Sequence, residues 1–68
     1  MKPVSGKRLA RILESRGWFL ARVSGSHHIY RDPAGLVTVS VPVHSNQNLA
    51  VGTQRAIMRA AGVREDEL

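Results

Sequence analysis

The spacing of apolar residues changes period twice along this 68-residue chain. Leu9, Ile12 and Leu13 recur at i, i+3 and i+4, the stripe of an amphipathic helix, and Ser5 stands before them as an N-cap. The pattern predicts a helix over residues 6–16, with Lys7, Arg11 and Glu14 on its other side and Gly17 as its terminator. The period then shortens to two. Residues 18–23 read as a strand, Ser24-Gly25 as a tight turn, and residues 27–31 as a second strand. Asp32-Pro33-Ala34-Gly35 carries type I turn preferences. Residues 36–41 form the cleanest strand, since Val37, Val39 and Val41 alternate with Thr38 and Ser40.

Beyond the polar loop 42–48, helical spacing returns over roughly residues 50–61. Thr53, Ile57, Ala60 and Ala61 are expected on the inner face, with Met58 at its margin. Arg55 and Arg59 lie one turn apart outside, Gly62 ends the helix, and the tail 64–68 reads as a last turn or a frayed end. The order α-β-β-β-α predicts an α+β fold in a single domain, residues 1–68. A three-stranded antiparallel meander would carry both helices on one face.

Composition narrows the function. Without cysteine there are no disulfides, thiolate metal sites or cysteine nucleophiles, which favours a cytoplasmic protein. No run approaches the ~20 apolar residues of a membrane span, and Met1-Lys2-Pro3-Val4 lacks a signal-peptide core, so a complete soluble protein is expected. The net charge of +5 understates the basic surface. Glu65, Asp66 and Glu67 lie in the last four residues; over residues 1–64, ten Lys/Arg face only Glu14 and Asp32, a net of +8. Such a density suits a polyanion, against the plainer reading of a solvated basic surface.

The chemistry centres on Gly25-Ser26-His27-His28-Ile29-Tyr30. Alternation puts His28 and Tyr30 on one face of the second strand and His27, Ile29 and Arg31 on the other. Ile29 and Tyr30 both suit a core. Tyr30 is favoured inside for its larger ring, and His27 then lies on the open sheet face near Ser40 or Thr38, with His28 partly buried and structural. A histidine there can take the proton of an RNA 2′-hydroxyl or protonate the leaving 5′-oxygen. Arg22 and Arg31 on the hairpin flanks can stabilise charge on the phosphate, and the Gly25-Ser26 turn offers N–H groups and a hydroxyl. The plainer alternative is a surface histidine with no chemistry. His44, in the loop, is a weaker candidate, and the three histidines match no familiar zinc spacing.

The chain resembles the HicA toxins, also called the YcfA-like family. Ser5-Gly6-Lys7 with Leu9, Ile12 and Leu13 is similar to the family's opening helix, and Gly17-Trp18 to its helix end. Gly25-Ser26-His27-His28-Ile29-Tyr30 resembles its G-S-H-x-x-aromatic motif, and Val39 to His44 its third strand and following loop. Leu49, Gly52-Thr53, Ile57 and Ala61-Gly62-Val63 resemble its last helix, although Asn48-Leu49-Ala50-Val51 lacks the charged or proline-containing entry that relatives often have.

The resemblance implies a double-stranded-RNA-binding-domain-like fold, which the element order also suits. It implies the toxin of a type II toxin–antitoxin system: an mRNA interferase that cleaves mRNA, arrests growth, and is neutralised by a HicB-like antitoxin covering the catalytic histidine. Carried over, that histidine is His27, with His28 as the alternative. RNA contacts are expected from Gly25, Ser26, Arg22 and Arg31, with Lys7 and Arg11 at the rim. No metal, cofactor, membrane contact or DNA binding by this chain alone is expected. The competing function is a non-catalytic RNA-binding module of the same fold, for which the chain is short and poor in aromatic residues.

Overall fold

Helix α1 (Gly6–Ser15) begins where the Ser5 hydroxyl accepts a hydrogen bond from the Arg8 N–H at 3.0 Å, as its sequence position requires. In the computed structural model, which describes residues 1–68, the chain continues through strands β1 (Phe19–Ser24), β2 (His27–Arg31) and β3 (Thr38–Pro42) to helix α2 (Val51–Ala61). A 3₁₀ turn at Glu65–Glu67 closes it. The strands form one antiparallel sheet in the order β1-β2-β3. Both helices pack on the same face, principally over β3, giving the expected two-layer α-β-β-β-α arrangement.

The core joins Leu9 and Leu13 of α1, Tyr30 of β2, Val39 and Val41 of β3, and Ile57 and Met58 of α2. Val4 and Leu49 seal one end, where Ser5 bridges Asn48 and the Leu49 N–H donates to the Val4 carbonyl at 2.9 Å. Tyr30 is buried, as its ring size suggested, and its hydroxyl donates to Glu14 Oε2 at 2.6 Å. Burial first, then the bond to Glu14 and its negative charge, push the phenol well above its ordinary range. The bond ties α1 to the middle of the sheet and turns the only acid of that helix away from its arginines.

Several boundaries and faces differ from expectation, the hairpin turn among them: Ser24 pairs with His27 as the last residue of β1, so the turn is Gly25-Ser26 rather than Ser24-Gly25, and β3 runs on to Pro42 while α2 starts at Val51. Trp18 is buried ahead of β1 rather than within it, because its N–H donates to the Leu13 carbonyl and folds the indole under the end of α1. Helix α1 stops at Ser15, with Arg16 as its cap. Strand β3 starts at Thr38, not Leu36: the Asp32 carboxylate accepts from the N–H groups of Leu36 (2.6 Å) and Val37 (3.0 Å), holding both in the turn and leaving both exposed. On α2 the buried face is Gln54, Ile57, Met58 and Ala61, with Ala60 exposed and Thr53 half-buried. Gln54 is drawn inside because its carboxamide accepts from the Val4 N–H at 3.1 Å and donates to the Lys2 carbonyl at 2.7 Å.

One contact sets the distance between the layers. A Cβ on Gly6 would collide with the Pro42 carbonyl oxygen and press on Val43 Cα at 3.3 Å, so the first turn of α1 lies directly on the backbone at the end of β3. Gly6→Ala therefore displaces α1 and should lower unfolding free energy by about 3 kcal/mol, the overpacking range. Gly52, in α2, has open space around it, and Gly52→Ala should raise stability by up to about 1 kcal/mol. Urea unfolding of the two variants beside the parent checks both signs.

Candidate active site on the open sheet face

The Gly25-Ser26 connection between β1 and β2 is a two-residue hairpin turn. Gly25 has φ +59° and Ser26 is not left-handed, the pattern of a type II′ turn with glycine first. A side chain at Gly25 would meet nothing within 4 Å, so the turn backbone is open to approach.

Register then assigns the faces. His27 lies opposite Ser24 on β1 and Pro42 on β3; Ile29 lies between Arg22 and Ser40; Arg31 lies between Phe19 and Thr38. These three rows form the face that no helix covers. On the other face, His28 sits between Val23 and Val41, and Tyr30 between Leu20 and Val39. The pairing slips between Leu20 and Arg22, leaving Ala21 unpaired in a β-bulge. The slip has a chemical consequence. Uninterrupted alternation would put Phe19 and Arg22 on opposite faces; the bulge brings Arg22 round to the face of His27.

His27 is exposed, and its Nδ1 lies 3.1 Å from Ser40 Oγ, across the diagonal between the first two rows. That bond engages Nδ1 and leaves Nε2 without a hydrogen-bond partner in the protein. Arg22 belongs to the adjacent row, about 7 Å along the strand. Arg31 is one row further, about 13 Å from His27, with Ile29 between them. The face therefore brings together His27, Ser40, Arg22 and the Gly25-Ser26 turn, and holds Arg31 apart. None of its nine positions is acidic.

The remaining candidates lie elsewhere. His28 is half-buried on the helix side. His44 is exposed and lines a separate cleft with Pro42, Asn48 and Thr53. Lys7 and Arg11 line a groove beside α1 with Ser5, Arg8 and Asn46. Sequence reasoning missed three contributors: Ala21 as a bulge, Arg8, and Asn46. Arg8 had a signal, being three residues before Arg11 on the same helix. The other two had none, because a bulge and a loop position depend on distant pairing.

Electrostatics sharpen this picture. The acidic tail is consumed internally: Glu65 pairs with the N-terminal amine, Asp66 with Arg64, and Glu67 with Arg16 at 2.6 Å. The Arg64 N–H first, then the Arg16 guanidinium, hold the Glu67 carboxyl below its usual range. Asp32 is bound to its own turn and Glu14 to Tyr30. No acid pairs with Lys7, Arg8, Arg11, Arg22 or Arg31.

Fold and face together define a small basic α+β domain that presents a hydroxyl-held histidine on an uncovered sheet. A family model described as the HicA toxin of bacterial toxin–antitoxin systems matches residues 6–63, and the chain belongs to that family. Membership implies the toxin of a toxin–antitoxin pair, in a family generally associated with mRNA cleavage, with an antitoxin partner and an RNA substrate. No curated protein matches the chain. No helix is long and apolar enough to cross a membrane.

The two neighbouring histidines should separate in stability. His27→Ala, at an exposed position, is expected within about 0.5 kcal/mol of the parent, whereas His28→Ala, which empties a half-buried place between two valines, should cost about 1 kcal/mol. Denaturant midpoints measured under one set of conditions decide the order.

Proposed function

We propose that this chain is a metal-independent endoribonuclease, an mRNA interferase in which His27 is the general base and a HicB-like antitoxin blocks access to it. The observation that carries this reading is the position of His27: exposed, held by Ser40 at 3.1 Å, on a face that also presents Arg22. In the tautomer whose Nδ1–H donates to Ser40, the Nε2 lone pair is free to take the proton of a ribose 2′-hydroxyl. The 2′-oxygen attacks phosphorus and the bond to the 5′-oxygen breaks. Water protonates the leaving oxygen, and the imidazolium returns its proton to solvent. The products are a 2′,3′-cyclic phosphate and a 5′-hydroxyl.

Arg22 is the cation placed to stabilise charge developing on the phosphate. Gly25 and Ser26 offer the turn to a phosphate oxygen, and Arg31, two rows away, suits the neighbouring phosphodiester. Lys7 and Arg11 would hold RNA further out. The absence of any carboxylate among the nine open-face positions supports a route without Mg²⁺, a cation that needs oxygen ligands, carboxylates above all. An antitoxin covering the same face with acidic groups would exclude substrate and associate faster at low salt.

The test is cleavage of a defined RNA in excess EDTA. The parent should cut and leave cyclic phosphate ends, and His27→Ala should lose about 10²- to 10⁴-fold. Arg22→Ala should lower kcat by about 10²-fold. Arg31→Ala should act mainly on KM. Strict dependence on added Mg²⁺ or Mn²⁺ with 3′-hydroxyl products would overturn the mechanism. Full activity of His27→Ala beside an inactive, folded His28→Ala would move the base by one residue. RNA binding without cutting at any pH would make the chain a binding module.

A further inference from the structure

We infer that the groove formed by Lys7, Arg8, Arg11 and Asn46 is a second binding site, one that grips the phosphodiester backbone of RNA continuing from the His27 face. This rests on the reading of RNA as substrate and assigns where the rest of the strand goes.

The groove encloses about 240 Å³ and is lined by Ser5, Lys7, Arg8, Arg11 and Asn46, none of them hydrophobic. Its cations sit where local physics disfavours them. Lys7 and Arg8 occupy the first turn of α1, the end at which the helix dipole favours negative charge, and no acid stands there. Lys7 and Arg11 are like charges at i, i+4, a spacing that destabilises a helix. The only acid of α1, Glu14, lies three residues beyond Arg11, yet it is bound to Tyr30 instead. A polyanion in the groove relieves all of these costs together. Positions where local preference is violated without internal compensation are where function is expected.

The composition of the wall identifies the occupant's chemistry. A protein partner draws affinity from a buried apolar centre, and this groove offers none. Phosphodiester oxygens need only what is present: two guanidinium forks, an ammonium, an amide and a hydroxyl. The loop that brings Asn46 over the helix turns at Ser45, which has φ +53°. The path to His27 is direct. Gly6, next to Lys7, lies on the Pro42 backbone, and Pro42 is the strand partner of His27. The groove and the histidine thus share one end of the sheet, and a single strand can pass from the open face around the end of β3 into the groove.

The experiment measures binding of a fluorescent single-stranded RNA by anisotropy, in the His27→Ala background, over a salt series. Arg8→Gln with Arg11→Gln should weaken binding at least tenfold. The slope of log K against log salt should fall by about 1.4, the value for two phosphate contacts on a single strand. Asn46→Ala should weaken binding with the slope unchanged. Without RNA, the melting temperature of the double variant should equal or exceed the parent's, because glutamine keeps the helix and removes the like charges. Unchanged affinity and slope in the folded double variant would overturn the site. So would unchanged RNA binding combined with slower association of the antitoxin, which would give the groove to the protein partner. The two readings fail separately: a parent that never cuts RNA, with binding that still depends on Arg8 and Arg11, removes the nuclease and leaves the groove.

Discussion

The contact of Gly6 with the Pro42 carbonyl is the constraint on which the arrangement hangs. With only hydrogen on its α-carbon, residue 6 lets the first turn of α1 rest on the end of β3 with no side chain between them. That approach brings Leu9 and Leu13 within reach of Val39 and Val41, and it aims the cations of α1 along the same end of the sheet as His27. A small chain buries a modest fraction of its surface, so its layers must approach closely to make any core at all. Here the close approach also sets the spacing between two stretches of positive surface. Packing and electrostatics are solved by one glycine.

The distribution of acids is the second organising fact. All five are engaged: three along the C-terminal turn and its partners, one with Tyr30, one in the turn at Asp32. The tail thereby anchors both ends of the chain, through the Met1 amine and Arg16, without neutralising the cations on α1 or the sheet. A protein of net charge +5 consequently presents a field closer to that of its first 64 residues, a field that concentrates anions from a distance and weakens steeply with salt.

Much of this was legible from periodicity. The valine alternation of β3 predicted which of its residues face the helices, and with Tyr30 inside, the same rule placed His27 on the open face near Ser40 or Thr38, where Ser40 is the one that meets its ring. The Gly-Ser turn and the capping serine were likewise local signals. What could not be read was non-local. Gln54 looks like a surface residue until the Val4 N–H and Lys2 carbonyl arrive from the other end of the chain. Thr53, half-buried, and Ala60, exposed, depart from the expected inner face of α2, which instead comprises Gln54, Ile57, Met58 and Ala61. The bulge at Ala21 leaves no mark in composition, yet it decides the face on which Arg22 stands.

Strand β1 has all six residues exposed and is hydrogen-bonded into the sheet through β2 alone, while the helices pack principally over β3. An edge of this kind opens with a free energy well below that of global unfolding, because detaching it uncovers almost no core. Arg22 therefore rides on the least protected element, while His27 and Ser40 belong to strands clamped by the helix layer. The amides of β1 will exchange with solvent while those of β2 and β3 that bond to each other stay protected. Detaching β1 would take Arg22 off the face of His27 while leaving His27 and Ser40 in place on the two strands beneath the helices.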